Sequence, residues 1–232
     1  MNTHFQADTL PFITDLKNNN DRNWFQENKK RYDLAREDFL SFVAEWIKGI
    51  ASFDESVADQ KANEIVFRIY RDVRFSNDKR PYKDHFGAYL APGGRKSVYP
   101  GYYFHLSPGN QSFMGGGLWM PPANHLKAVR QEIDYNFQEF LHIVQGTSFT
   151  NCFGQELAGE KLKTSPKGYD ATNPALDYLK YKSWVATHSL QDQQLLQPDL
   201  LANCLKIAEA LKPLKDFLMH PMLEISGGTE RD

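Results

Sequence analysis

The stretch from Arg68 to Lys83 packs six cations (Arg68, Arg71, Arg74, Lys79, Arg80 and Lys83) into sixteen positions. Asp72 and Asp78 are its only carboxylates, leaving a net +4 in the window. The whole chain carries −2, so everything outside the window sums to −6. A basic island on a mildly acidic molecule is an electrostatic target for an anion. Guanidinium forks match phosphate and carboxylate oxygens, and an ammonium adds a mobile point charge. The ligand-binding set expected here is Arg68, Tyr70, Arg71, Arg74, Ser76, Lys79, Tyr82 and Lys83, with Lys167 of the Lys167-Gly168 turn as a further cation. Asp72, Asp78, His85 and His105 are the candidates for orienting the cations or for acid–base work. The ligand class is a small phosphate- or carboxylate-bearing molecule. Phosphoryl or nucleotide chemistry fits that class, with Tyr103 and His105 approaching from a neighbouring strand.

The same residues support two other readings. In one, Asp72 and Asp78 pair with Arg or Lys, Phe75 and Tyr82 plug the core, Ser76 caps the turn at Asp78-Lys79, and the motif is a structural ionic hub. In the other, the basic face is a non-enzymatic binding module for nucleic-acid ends or for an acidic protein partner. A pocket closed by Arg68, Arg71, Arg74 and Lys83 favours the small ligand, and a flat strip favours the macromolecule. If the cations form a site, Arg71→Ala and Arg74→Ala remove anion binding at little cost in Tm. The residues leave open whether the chain is an enzyme.

Other motifs carry less. Gly115-Gly116-Gly117 lacks the Lys-Ser/Thr of a P-loop and the dinucleotide spacing, and reads as the end of a hairpin. None of the seven histidines makes a close metal-ligand pair, so no metal is expected, and no motif names a cofactor. No Gly-x-Ser-x-Gly elbow exists, and neither Cys152 nor Cys204 sits in a nucleophile context. The amide-rich junction Asn18-Asn19-Asn20 reads as helix capping, with a role beside Arg71 if the fold brings Asn20 there.

Composition sets the outer bounds. A hydrophobic share of 41% and a charged share of 24% in 232 residues describe a folded chain able to bury a sizeable core. The sequence pI of about 6.4 argues against a general nucleic-acid coating protein. Two cysteines cannot build a disulfide framework. With no signal-like N-terminus and no long apolar run, the expectation is a cytoplasmic protein that does not engage a membrane.

These residues must be positioned by a single α+β domain over 1–232, an antiparallel β-meander of about four to five strands packed with several helices. Leu10, Ile13 and Leu16 give a first helix. Phe25, Tyr32, Phe39 and Trp46 repeat at helical spacing and predict a core-facing helix from Trp24 to about Ile50. Residues 64–70 alternate and predict a strand, with Ile65, Phe67 and Ile69 on one side and Val66, Arg68 and Tyr70 on the other. Further strands are expected at Phe86–Leu90, Tyr102–Leu106 and Ser112–Met114, with Tyr103 and His105 facing away from Tyr102, Phe104 and Leu106. A helix is expected from Pro121-Pro122 to about Val144, then an irregular stretch over 146–172. Asn173-Pro174 caps a short helix, Ser183–His188 alternates as a strand, and a last helix runs from Asp199 to Lys212, where Pro213 stops or kinks it. A loose tail is expected over 226–232.

The pieces Leu16-Lys17-Asn18-Asn19-Asn20, Trp24-Phe25, Arg68-Ile69-Tyr70-Arg71-Asp72-Val73-Arg74-Phe75-Ser76, Pro81-Tyr82-Lys83, Gly116-Gly117-Leu118-Trp119 and Pro166-Lys167-Gly168-Tyr169 together resemble the DUF2461 family, from about Phe12 to Leu218. The resemblance implies that Arg68 to Lys83 is the part the family is built around. It brings no activity and no catalytic residue to this chain.

Overall fold

A computed structural model of the chain describes residues 2–227. In chain order it has helices α1 (Thr9–Asn18), α2 (Arg22–Glu27), α3 (Lys29–Ala51) and α4 (Ala62–Ile65), then strands β1 (Phe86–Leu90), β2 (Gly101–Leu106) and β3 (Ser112–Leu118). Helices α5 (Ala123–Tyr135), α6 (Phe137–Gln145), α7 (Thr147–Phe153) and α8 (Leu176–Leu179) follow, then β4 (Trp184–Leu190) and α9 (Leu200–Gly227). The strands form one antiparallel sheet in the order β1-β2-β3-β4, the α+β meander that the sequence predicts. No helix among the described residues is long and apolar enough to cross a membrane.

The described residues fall into two compact units, one of 2–95, 103–114 and 189–206, the other of 96–102, 115–188 and 207–227. The first unit is built on the aromatic stripe. Asp21 accepts from the backbone N–H groups of Asn23 and Trp24 and so starts α2. Asn28 then separates α2 from α3, so the helix expected from Trp24 to Ile50 is two helices. The stripe is buried as predicted, with Phe39 packed on Phe86 at 5.3 Å, and Phe42 and Trp46 against Phe104 at 5.2 and 6.0 Å. In the second unit Phe140 lies 5.0 Å from Tyr178 and 5.4 Å from Phe217, and the Trp184 indole N–H donates to the Tyr178 carbonyl.

Several expectations are corrected. Residues 64–70 do not form a strand. Ala62–Ile65 is a helical turn, followed by extended chain with two isolated bridges: Val66 pairs with Ala88 of β1, and Tyr70 pairs with Tyr82, which precedes β1. Val66 is therefore buried beside Ile65 and Ile69, while Phe67 is only half-buried, which reverses the predicted sides for those two. Helix α7 occupies the start of the stretch expected to be irregular, and Asn136 divides the helix expected up to Val144. The Gly115-Gly116-Gly117 run sits inside β3 rather than ending a hairpin. Helix α9 continues past Pro213, holding both Pro213 and Pro221, because Leu214, Leu218 and Met222 carry its buried face onward. The tail expected over 226–232 begins within α9, and 228–232 lie outside the described residues.

Candidate functional site

The basic segment leaves the first unit as an excursion whose neck is tightly made. Tyr70 and Tyr82 bridge, the Arg71 N–H donates to the Pro81 carbonyl at 2.9 Å, and the Lys83 N–H donates to Ile69 at 2.8 Å. Asn20 clamps the neck from the helix side: its amide accepts from the Tyr82 N–H at 3.0 Å and donates to the Tyr82 carbonyl at 3.1 Å. So Asn20 anchors this segment, and the helix cap is Asp21. The Tyr82 ring, buried, stacks on Phe25 at 4.0 Å, with Tyr70 5.5 Å away and half-exposed.

Beyond the neck, most of the cations are already matched. Arg74 grips Asp72 through two contacts of 3.0 and 2.7 Å. Asp78 takes Arg80 at 2.8 Å and Arg71 at 2.7 Å, and Arg71 also donates to the Arg80 carbonyl. Lys79 donates to the Val73 carbonyl. Ser76 contributes a backbone turn, its N–H donating to Val73. The Arg74 hydrogen bonds hold the Asp72 carboxyl down at about 2, and those of Arg80 and then Arg71 hold Asp78 lower still. Phe75 does not plug the core; it is 96% exposed at the tip. We expect Asp78→Asn to free Arg71 and Arg80 together, so that amide exchange over 72–80 accelerates while Tm barely moves, since exposed ion pairs add little stability. Unchanged exchange would mean that the pairs do not order the loop.

The remaining cations gather elsewhere. Between the two bridges, 67–69 faces 83–87, so three residues oppose five. The surplus is taken up by a bend at Asp84 and His85. Such a bulge re-aims side chains. It brings the His85 ring to 4.4 Å from the His105 ring of β2. As predicted, Tyr102, Phe104 and Leu106 point into the core and Tyr103 and His105 point the other way. On that open face His105 stacks on Phe113 at 4.7 Å, and Tyr103 Oη lies 3.2 Å from His105 Nδ1. Gly87 makes room for Tyr103, whose hydroxyl lies 2.8 Å from where a β-carbon would stand.

Lys83 extends over the Phe67 ring, its Nζ 5.0 Å from the centroid, and the Arg95 guanidinium lies over the same ring at 6.0 Å. Arg95 donates to the Val66 carbonyl at 2.7 Å. Burial, and then the charges of Arg68 and Arg95, push the Lys83 ammonium below its ordinary pKa. Among the described residues no carboxylate forms an ion pair with Lys83, Arg68 or Arg95. Asp84 lies 3.3 Å from His85 Nδ1 and 3.7 Å from Arg80. Burial works to raise the Asp84 pKa, but the hydrogen bonds from His85 and the backbone, with the charges of His85 and Arg80, together outweigh it and leave the carboxyl below the usual range.

Burial lowers both imidazoles, His105 to about 4, with the His85 charge adding to the effect. Both rings are neutral at pH 7. A base lowered from its ordinary 6.5 costs nothing above that pH, and charging it opposes folding as pH falls toward 4. Discounting for partial exposure, this penalty is about 2 kcal/mol. Urea unfolding should therefore show stability falling between pH 6.5 and 4, and His105→Gln should flatten that slope. An unchanged slope in the variant would contradict it. Asp72 titrates in a lower window, from 3.8 toward about 2, so loop pairing outlasts the histidine change.

Of the predicted residues, the structure brings His85 and His105 together on the sheet face and Lys83 over Phe67, with the charge of the exposed Arg68 bearing on Lys83. It ties Arg71, Arg74, Lys79, Asp72 and Asp78 into the loop, and sets Tyr70 and Tyr82 in its neck. Lys167 belongs to the second unit, exposed at a turn closed by the Tyr169 N–H on Pro166. Sequence reasoning passed over Phe67, Asp84, Arg95 and Phe113. Only Asp84, next to His85 in sequence, gave a usable signal. Two clefts of about 440 and 600 Å³ in the first unit lie along α3, beside Asp38 and beside Lys48, and no residue of the basic segment lines either. Among the described residues no cluster of three or more His, Cys, Asp or Glu has metal-holding geometry.

Comparison with known families matches residues 8–217 to DUF2461, described as a conserved hypothetical protein. No curated protein and no solved structure matches the chain. With nine-tenths of its length inside that match, the chain belongs to the DUF2461 family.

Proposed function

We propose that this protein binds a small phosphate- or carboxylate-bearing ligand on the open sheet face of the first unit, between Arg68, Lys83 and Arg95. The observation that carries this is the cluster of like charges at Phe67. Lys83 and Arg95 share one ring, and the Arg68 charge bears on Lys83, with no carboxylate paired to any of them. Crowded cations in a half-buried setting repel one another, and an anion relieves that repulsion. His85, oriented by Asp84, and His105 stand beside this cluster as neutral bases. An enzyme acting on the ligand would use them to move its proton. The setting in this reading is cytoplasmic, where the free thiols of Cys152 and Cys204 stay reduced.

Isothermal titration with inorganic phosphate tests the site. Lys83→Met and Arg68→Gln should each weaken binding roughly 10- to 100-fold, the worth of one charged hydrogen bond. Arg74→Ala, whose guanidinium is already held by Asp72, should leave it unchanged. The reverse pattern would move the site to the loop tip. One feature favours a binding module for nucleic-acid ends instead: Phe75 is an open ring beside Arg74, suited to stacking on a base. A steep salt dependence with oligonucleotide, lost in Phe75→Ala, would support that reading over the first.

A further inference from the structure

Lys83 differs from the other cations of the basic segment in what surrounds its amine. Arg71, Arg74 and Arg80 are held by carboxylates, and Lys79 donates to a backbone carbonyl. The Lys83 side chain has no hydrogen-bond or ion-pair partner among the described residues. Its backbone is fixed, since its N–H donates to Ile69, so the stem leaves a defined point in the neck. Its Nζ lies over an aromatic ring on a half-buried face, with two guanidinium groups for neighbours. A lysine set among cations and apolar surface is disposed to hold a free amine, and a free amine is a nucleophile for carbonyl carbon. The charge on Lys83 also bears on His85, which Asp84 orients.

We infer that Lys83 forms an imine with small carbonyl compounds that carry a carboxylate or phosphate, a step that rests on the anion site proposed above. The Lys83 nitrogen attacks the carbonyl carbon, and the carbonyl π pair moves to oxygen. A proton passes from nitrogen to that oxygen, giving a carbinolamine. Loss of the hydroxyl as water and of the remaining N–H proton completes the C=N bond, so one carbonyl and one amine yield one imine and one water. His85 is the group placed to take and return these protons. Arg68 and Arg95 hold the anionic end of the molecule, which selects charged over neutral carbonyl compounds.

The test uses the full chain at pH 7 with glyoxylate as the anionic probe and acetaldehyde as the neutral one. Each is trapped with cyanoborohydride, and the sites are mapped by peptide mass spectrometry. Glyoxylate should modify Lys83 at least about tenfold faster than the exposed Lys167. Lys83→Arg should remove that fast modification, and Arg68→Gln should erase the preference for glyoxylate over acetaldehyde. If glyoxylate labels Lys83 no faster than Lys167 while phosphate still binds, the imine is overturned and the anion site stands. If Lys83 reacts as fast with acetaldehyde as with glyoxylate, the selectivity proposed here is overturned together with the anion site. The label map and the phosphate titration of the wild-type protein decide between these results, so the outcome does not depend on how the variants fold.

Discussion

Gly115→Ala should destabilise the protein by about 3 kcal/mol or more, because the new methyl has no space. A β-carbon at that position would stand 2.1 Å from the Ala186 carbonyl oxygen of β4. Gly116 meets the Gly101 carbonyl of β2 at the same distance, and Gly117, at φ +113°, meets the carbonyl of Trp184. Three consecutive residues of β3 thus lie hard against backbone on the strands to either side. Backbone oxygens within a ladder cannot move aside as a side-chain tip can. Urea unfolding reads the loss directly, and a cost below about 1 kcal/mol would show that the strands relax easily.

Phe25→Ala should cost about 3–5 kcal/mol, the range for removing a fully buried ring. Phe25 is completely buried and packs on Tyr82 at 4.0 Å and on Tyr32 at 5.0 Å. Its neighbours extend the consequence beyond stability. Tyr82 and Tyr70 are the bridged pair at the neck, and Lys83 follows Tyr82 directly. Loss of the ring should therefore raise amide exchange at Tyr82 and Lys83 and weaken phosphate binding in the protein that remains folded. Phosphate affinity unchanged in folded Phe25→Ala would mean that the neck does not position Lys83.

Much of this arrangement was legible in the chain. The seven-residue spacing of Phe25, Tyr32, Phe39 and Trp46 announces a buried helix face, and those side chains are buried. Alternation in β2 places Tyr103 and His105 opposite the core correctly. Local pattern fails where tertiary geometry decides. Alternation over 64–70 imitates a strand, yet α4 takes its first residues, and the extended chain that follows makes isolated bridges at Val66 and Tyr70 in place of a ladder. The bend at Asp84 and His85 depends on how many residues separate two bridges, which no single segment encodes. Charge density in the loop could not say which cations were spoken for. Asp72 lies two residues from Arg74, and Asp78 lies two from Arg80, so each is matched locally. What survives that matching is Arg68 and Lys83, at the two ends of the motif.

The place where an anion binds decides the matter most directly. An NMR titration with inorganic phosphate, following backbone amides together with the ring signals of His85 and His105, reads that location residue by residue. Shifts concentrated at Arg68, Lys83, Arg95 and the two imidazoles, saturating at one site, are the expected result. Shifts centred on Arg71, Arg74 and Arg80, or none at the sheet face, would contradict it.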